Sequence, residues 1–577
     1  MKKLKKELLL MLILCMGFMM VACEEEPYEL PLEPPVIEWE SENSTYEVKI
    51  GRTLTINPVY TNVEDAVFAW KINGKIVSTD SILTYVPDLI GDVYVTLDVL
   101  TKGGTAYAEA KIRVVDLAIP IVTIPIPMGG YKVLNNKELS LDPIVENNID
   151  VTYSWFVNGT KVSNAKEYLF KQATAGVYTV KVVAVNEDGS DEFEFDVTVC
   201  TPDQMPFNWS FESEEFNLSQ GRSIRLKAWD IENDFGGEYT WKVNGQEKQK
   251  GDKTEFVFNS ADYSPATSCE VVVTMKNEYQ EISQTLTVNI CPQEGTYKRT
   301  ATASSVAKFE KVYEFLAAPG QFINENYTAN TMEAAVSYAQ SRMNSESYVS
   351  LGGFGGYIVM GFDHSIENDG GYNIQIMGNS FDGSSEPGIV WVMQDENGDG
   401  LPNDTWYELK GSEYGKADCE IRDYCVTYYR PKAQSMPVNW SDNLGNTGSI
   451  DYLASFHTQA YYYPAWVKED SYVLRGTCLV SKNKETSPGY WYNGSYDWGY
   501  ADNFSNIDRL TNDDNYNANA NGNHFKISDA VTFDGKPANL QYIDFVKVVC
   551  GTNAKSGWLG EVSTEIFGCN DYNMLKK

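Results

Sequence analysis

Three histidines in 577 residues leave little imidazole for a metal centre or an acid/base pair. The chain has no G-x-S-x-G, no H-E-x-x-H and no phosphate loop, which removes the common serine-hydrolase, zinc-protease and nucleotide-binding motifs. Gly352, Gly353, Gly355 and Gly356 around Phe354 read as a turn into a strand rather than a nucleotide cradle. No two cysteines stand at C-x-x-C spacing, so neither a zinc knuckle nor a thioredoxin-type redox pair has support. Basic residues are scarce, 46 Lys and Arg against 80 Asp and Glu for a net charge of −34, and phosphate binding needs a basic surface. Nucleic acid is therefore excluded as a partner. Among so many carboxylates a glycosidase pair can always be chosen by hand, so the sequence does not test one. The chain is read as a non-enzyme with no catalytic cofactor.

What is present begins at the N-terminus. Lys2, Lys3, Lys5 and Lys6 precede an apolar run from Leu8 to Ala22, too short to span a membrane and ordered like a secretory signal. Losing residues 1–22 leaves 42 basic against 79 acidic residues, a net charge of −37. Met20-Val21-Ala22-Cys23 resembles a bacterial lipobox, with Met20 where Leu is usual, and the resemblance implies lipidation of Cys23. Glu24, Glu25 and Glu26 resemble the surface-export signal of Bacteroidota lipoproteins. The expected location is the outer membrane, cell surface, by a lipid anchor. Pro27, Pro31, Pro34 and Pro35 make residues 23–36 a stiff tether. Eight further cysteines, Cys200, Cys269, Cys291, Cys419, Cys425, Cys478, Cys550 and Cys569, are an even count that permits disulfides in an exported protein.

Three segments share one pattern: "FAWKINGKIV" from Phe68, "YSWFVNGTKV" from Tyr153 and "YTWKVNGQEK" from Tyr239. In each, apolar alternation around Trp70, Trp155 or Trp241 runs into Asn-Gly, which predicts a strand with an inward Trp entering a tight hairpin. Short strands, a core Trp and a period of about 85 residues indicate immunoglobulin-type β-sandwiches. They resemble PKD-like domains, although Trp-x-apolar-Asn-Gly replaces the W-D-F-G-D-G block. The expected modules are 37–117, 118–201 and 205–292, most simply a rigid stalk. Residues 297–577 hold one amphipathic helix, "NTMEAAVSYAQSRMN", with Asn330 as the expected cap, Glu333 behind it, and Met332, Val336, Ala339 and Met343 on one face. Strands follow without intervening helices. The fold class is therefore mainly β: three tandem Ig/PKD-like sandwiches and a larger β-sandwich or jelly roll with long loops and one helix.

"GGFGGYIVMGFDHSI", "GNSFDGSSEPGIVWVMQDENGDGLPNDTWYELKGSEY" and "IDFVKVVCGTNAKSGWLGEVSTEI" resemble a family of bacterial cell-surface, PKD-like lipoproteins. Members are often encoded beside outer-membrane corrinoid receptors, and related surface lipoproteins capture cobalamin. The resemblance implies corrinoid uptake with a TonB-dependent receptor as partner. It carries no contact motif. The competing expectation is a glycan-binding or adhesive surface lipoprotein.

Two stretches are site candidates. "QDENGDGLPNDTWYEL" places Asp395, Asn397 and Asp399 at alternate positions before Gly400. Trp406 occupies the twelfth position, where an EF-hand needs its bidentate Glu, and both flanks alternate like strands, so an EF-hand is excluded. A strand-flanked calcium loop stays open, with Leu401 giving a carbonyl and Asn403 or Asp404 closing the shell. So does a plain polar turn, because turns use the same residues. The second candidate is aromatic. "FHTQAYYYPAW" and "GYWYNGSYDWGYADN" crowd Tyr461, Tyr462, Tyr463, Trp466, Tyr490, Trp491, Tyr492, Trp498 and Tyr500 among amides, without clean strand alternation. Rings beside polar groups suit a corrin or a sugar. The residues named for such a ligand are His457, Tyr461, Tyr462, Trp466, Trp491, Tyr492, Trp498, Asp502 and Asn503. His364 lacks the D-x-H-x-x-G arrangement of one corrinoid-enzyme class, since Phe362 stands where Asp is needed.

Overall fold

A computed structural model describes residues 32–41, 43–127, 129–510 and 522–576. The expected signal, Cys23 and the tether as far as Pro31 lie outside the described residues. The chain forms two compact units, Met1–Thr201 and Pro202–Lys577.

The first unit holds two sandwiches of one design. In the first module, Thr45–Lys49 lies parallel to Gly104–Val115, and Gly91–Thr101, Val67–Ile72 and Lys75–Ser78 continue the sheet antiparallel. Two short pairs, Val36–Glu38 with Val59–Thr61 and Leu54–Ile56 with Leu83–Tyr85, complete it. The second module repeats the five-strand order with Tyr131–Leu134, Gly189–Cys200, Gly176–Asn186, Thr152–Val157 and Thr160–Ser163. Trp70 and Trp155 are fully buried, and each indole N–H is satisfied by a backbone carbonyl, Asp80 O at 2.9 Å and Ala165 O at 3.0 Å. Asn73 and Gly74 carry φ of 49° and 74°, and Asn158 and Gly159 carry 47° and 77°, the left-handed pair that a two-residue hairpin requires. Lys49 Nζ reaches Glu187 Oε1 and Asp188 Oδ2, both at 2.6 Å, joining the first module to the second.

The second unit begins with the third repeat, in which Glu215–Ser219, Glu281–Cys291, Thr267–Lys276, Glu238–Val243 and Gln246–Gly251 form the same sheet around buried Trp241. The larger domain carries a six-stranded antiparallel sheet, in spatial order Lys311–Leu316, Tyr357–Glu367, Tyr542–Cys550, Gly388–Met393, Trp406–Leu409 and Ala530–Val531. A four-stranded sheet, Thr447–Ile450, Val438–Asp442, Glu420–Tyr429 and Ser471–Leu479, shares one core with it through Val390, Val548, Val426 and Tyr428.

Three expectations are corrected. The helix Met332–Asn344 is capped by Thr331, whose hydroxyl accepts Ala334 N at 3.2 Å, rather than by Asn330. It buries Ala335, Ala339 and Met343, whereas Met332 is exposed. All eight described cysteines are free thiols, seven of them buried; small apolar strand-end positions suit an unpaired Cys as well as a bridged one. The third repeat is not a free-standing stalk module. It packs on the larger domain through Arg225 and Lys227, whose charged groups lie 2.7 and 2.6 Å from Asp423, and through Ser219 N, which donates to Glu396.

Candidate functional site

The aromatic segments divide sharply once folded. Tyr462 is fully buried, with its hydroxyl donating to His457 O at 2.9 Å and accepting Leu453 N at 3.1 Å, and burial pushes its ionisation up to about 12. Tyr463 and Tyr500 are core, and Trp466 packs on Phe315 with ring centroids 5.5 Å apart. Asp502 and Asn503 are also fully buried; Asn503 pairs with Tyr496 N and O at 2.8 Å each. Four of the nine residues named for a ligand, Tyr462, Trp466, Asp502 and Asn503, are therefore buried inside the domain rather than on its surface. A strand-like alternation is not needed to bury a ring when loops cross over a sheet. His457 Nδ1 sits 2.6 Å from Glu325, half-buried and engaged. Tyr492 donates to Asp382 at 3.1 Å and packs on Gly383, and Trp498 is half-buried.

Exposed rings from these segments and the turn at Gly557–Leu559 stand on two loops and one hairpin. Phe456 is 60% exposed, Trp558 50% and Tyr490 71%, with Tyr461 exposed nearby in sequence. Phe456 and Trp558 stand with centroids 5.6 Å apart and planes tilted by 38°. Trp558 donates its indole N–H to Gly489 O at 2.6 Å, which attaches the Gly557–Leu559 turn to the hairpin of Asn483–Ser487 and Tyr490–Asn493. Trp491 lies against Gly557, where a Cβ would come within 2.3 Å of its indole nitrogen. Lys555 Nζ meets Asp451 at 2.7 Å, tying the loop before Trp558 to the one before Phe456. Sequence reading passed over Trp558 and Leu559; their signal is a pair of large apolar residues between Gly557 and Gly560.

The Asp395–Asp404 loop joins two antiparallel strands, Gly388–Met393 and Trp406–Leu409. Asp395 accepts Gly398 N at 2.8 Å and Gly400 N at 3.1 Å, Asn397 accepts Asp399 N at 2.9 Å, and Asp399 accepts Leu401 N at 2.8 Å. Asn397 and Asn403 both donate to Asp399, and Asp404 accepts Glu396 N at 2.8 Å. The loop is thus a chain of side-chain-to-backbone turns. Asp395 and Asp404 are buried rather than on an open surface, because the loop lies against the third repeat. Burial pushes Asp404 up to about 7 and the neighbouring Glu396 up to about 8.

A different cluster was not visible in the sequence. Carboxylate oxygens of Glu386, Asp502 and Glu565, from three separate segments, lie within 4.8 Å of one another. Asp502 accepts Glu565 N at 2.9 Å, and Ser563 donates to Glu565 at 2.6 Å. Burial, then mutual repulsion, raises the pKa of Glu386 and Asp502, which favours the protonated form of these carboxyls.

Comparison with known proteins gives a family match over part of the chain. Residues 34–101 and 120–186 match a PKD-like domain family. The first two repeats are PKD-like. No curated protein matches. Among solved structures, three N-terminal domains of the highly immunogenic outer capsid protein of bacteriophage RB49 are 17% identical, with TM-score 0.24 over 44% of this chain and 98% of that one. An I-band fragment of titin is 12% identical, with TM-score 0.20 over 45% and 98%. Fibronectin(III)-like modules of Clostridium thermocellum CbhA are 15% identical, with TM-score 0.18 over 32% and 100%. At these TM-scores the likenesses carry no argument. Tandem PKD-like and Ig-like modules are consistent with a cell-surface or adhesive role, and such modules are typically non-catalytic.

Proposed function

We propose that this is a Bacteroidota cell-surface lipoprotein, anchored at the outer membrane through Cys23, whose C-terminal domain captures a ligand with flat apolar faces and polar edges. The observation that carries the reading is the group of exposed rings, Phe456, Trp558 and Tyr490, on loops of that domain. The resemblance of the central sequence blocks supplies the ligand, cobalamin or a related corrinoid handed to a TonB-dependent receptor. A glycan is the second reading, favoured by the open, shallow setting of the rings. The Asp395–Asp404 loop, with Asn397, Asp399 and Asn403, is proposed as a structural calcium site. Calcium added to metal-stripped protein is then expected to raise the melting temperature, and Asp395→Ala with Asp399→Ala to abolish the rise.

Titration calorimetry of residues 202–577 and of the whole mature chain with cyanocobalamin tests the main reading. Residues 202–577 are the fragment of choice because the third repeat is bonded into that unit. Equal micromolar or tighter binding by both supports corrinoid capture. No heat from either, with binding on a glycan panel, transfers the proposal to the second reading. Protease added to intact cells should digest the protein, and Cys23→Ala should release it from the membrane fraction.

A further inference from the structure

We propose that Asn73 is a site of spontaneous covalent modification, where the Asn73-Gly74 pair closes to a succinimide and reopens as isoaspartate, while the matching pairs of the other two repeats are held intact. The chemistry needs only water. The Gly74 backbone nitrogen, having given its proton to solvent base, forms a bond to Asn73 Cγ; the bond from Cγ to the side-chain nitrogen breaks, and ammonia leaves. Water then opens the ring at one of its two carbonyls. Opening at the main-chain carbonyl leaves the chain running through the side chain, as isoaspartate, and opening at Cγ leaves ordinary aspartate. Glycine permits the closure because it has no side chain to shield its nitrogen. A Cβ built on Gly74, Gly159 or Gly245 meets nothing within 4 Å, so all three hairpin tips have room for the ring.

The three repeats serve as controls for one another. Asn73, Asn158 and Asn244 take the same place in the same hairpin, with φ of 49°, 47° and 49°, and all three are exposed. In the second repeat Asn158 Oδ1 accepts Thr179 N at 3.0 Å, and Asn158 N donates to Thr179 O at 2.8 Å. The third repeat makes both bonds with Glu270, at 2.9 and 2.8 Å, and Asn244 Nδ2 also meets Cys269 Sγ at 3.6 Å. These bonds clamp the side chain onto the neighbouring strand and keep Cγ from turning toward the glycine nitrogen. In the first repeat Tyr94 stands where Thr179 and Glu270 stand, one residue before the strand partner of Ile72, and makes neither bond. Among the described residues the Asn73 side chain has no hydrogen-bond partner.

Other Asn-Gly pairs are held as well. Asn397 is tied to Asp399 through both its side-chain oxygen and its side-chain nitrogen, and buried Asn493 accepts Ser556 Oγ at 2.6 Å. Asn521 lies outside the described residues. At the first hairpin the ladder closes at Ile72 and Lys75 around a two-residue turn. Isoaspartate adds one carbon to that turn and one negative charge, so the edge strand Lys75–Ser78 loses its register with Val67–Ile72. The first unit therefore weakens with age.

The test ages the full mature chain in mildly alkaline buffer, with and without urea, and quantifies isoaspartate at each pair by peptide mass spectrometry. Natively Asn73 is expected to convert about fivefold to tenfold faster than Asn158 or Asn244, the factor that one lost hydrogen bond corresponds to. In urea the clamps are gone and the three local sequences are nearly alike, so the rates should converge. Equal native rates, or Asn73 slower than either, overturn the proposal. A difference that survives in urea assigns it to local sequence and overturns the structural argument as well. Asn73→Gly keeps a residue suited to positive φ and should hold its melting temperature through ageing that lowers the parent's. Equal loss in both overturns the effect on the first unit.

Discussion

Two joints in this protein use the same sandwich in opposite ways. In the first unit, Gly51 and Arg52 at a strand end lie beside Lys49, and the joint to the second module is made by Lys49 and Arg52 with Glu187 and Asp188. In the second unit, Gly221 and Arg222 occupy the matching place, and the joint is far more extensive. Arg222 pairs with Glu294 at 2.6 Å and donates to Ala538 O, Asn217 meets Asn403 and Thr405, and Arg475 reaches Asp230 while stacking near Trp229. A few surface side chains therefore decide whether a module is a link or part of a body. The sandwich core is indifferent to the choice.

The largest expected effect tests that distinction directly. Trp70→Ala and Trp241→Ala should each cost about 3–5 kcal/mol, the usual range for emptying a buried Trp site. By calorimetry Trp70→Ala should lower only the transition of the first unit, whereas Trp241→Ala should lower the transition containing the C-terminal domain. A third repeat that melts alone would break the comparison. Next comes Asp423→Ala, which strands Arg225 and Lys227; the carboxylate is about a third exposed, so the expected loss is reduced to about 1–3 kcal/mol of joint stability. Denaturant unfolding of residues 202–577 reads it.

The joints should also respond oppositely to pH. Asp188 is held below the usual Asp range, first by Lys49, so its contribution is present above that range and is lost on acidification. Glu396 is pushed up to about 8 by burial, so the joint it occupies is most stable in acid and weakens as pH rises from the ordinary carboxylate range through about 8. Melting curves of residues 32–201 from pH 2 to 6 and of residues 202–577 from pH 4 to 9 should show the two trends, and Glu396→Gln should make the second shallower. The smallest effect is Lys49→Ala, a slight lowering of the melting temperature of residues 32–201, because the Lys49–Glu187 pair is solvated. A larger loss would make the two joints alike.

Much of the fold was legible. Asn73-Gly74, Asn158-Gly159 and the Trp before each turn announce a hairpin because only residues tolerant of positive φ close that turn, and period-two alternation then aims the Trp inward. The strand segments of the C-terminal domain were legible for the same local reason. The aromatic loops were not. Tyr461 and Tyr462 are neighbours of one composition, yet one is exposed and the other fully buried, because irregular backbone has no period from which a facing can be read. The loop at Asp395 was legible as a turn, but its burial under the third repeat was not.

By itself the sequence determined the repeats, their core tryptophans, the mainly-β class and the acidic composition, since these follow from local periodicity and composition. Tertiary structure alone decided that Phe456 and Trp558, 102 positions apart, share one face, that Glu386, Asp502 and Glu565 converge, and that the third repeat belongs to the C-terminal body. The physical reason is that burial and charge proximity are set by which loops a packed sheet brings together, and that is a property of the whole chain rather than of any segment of it.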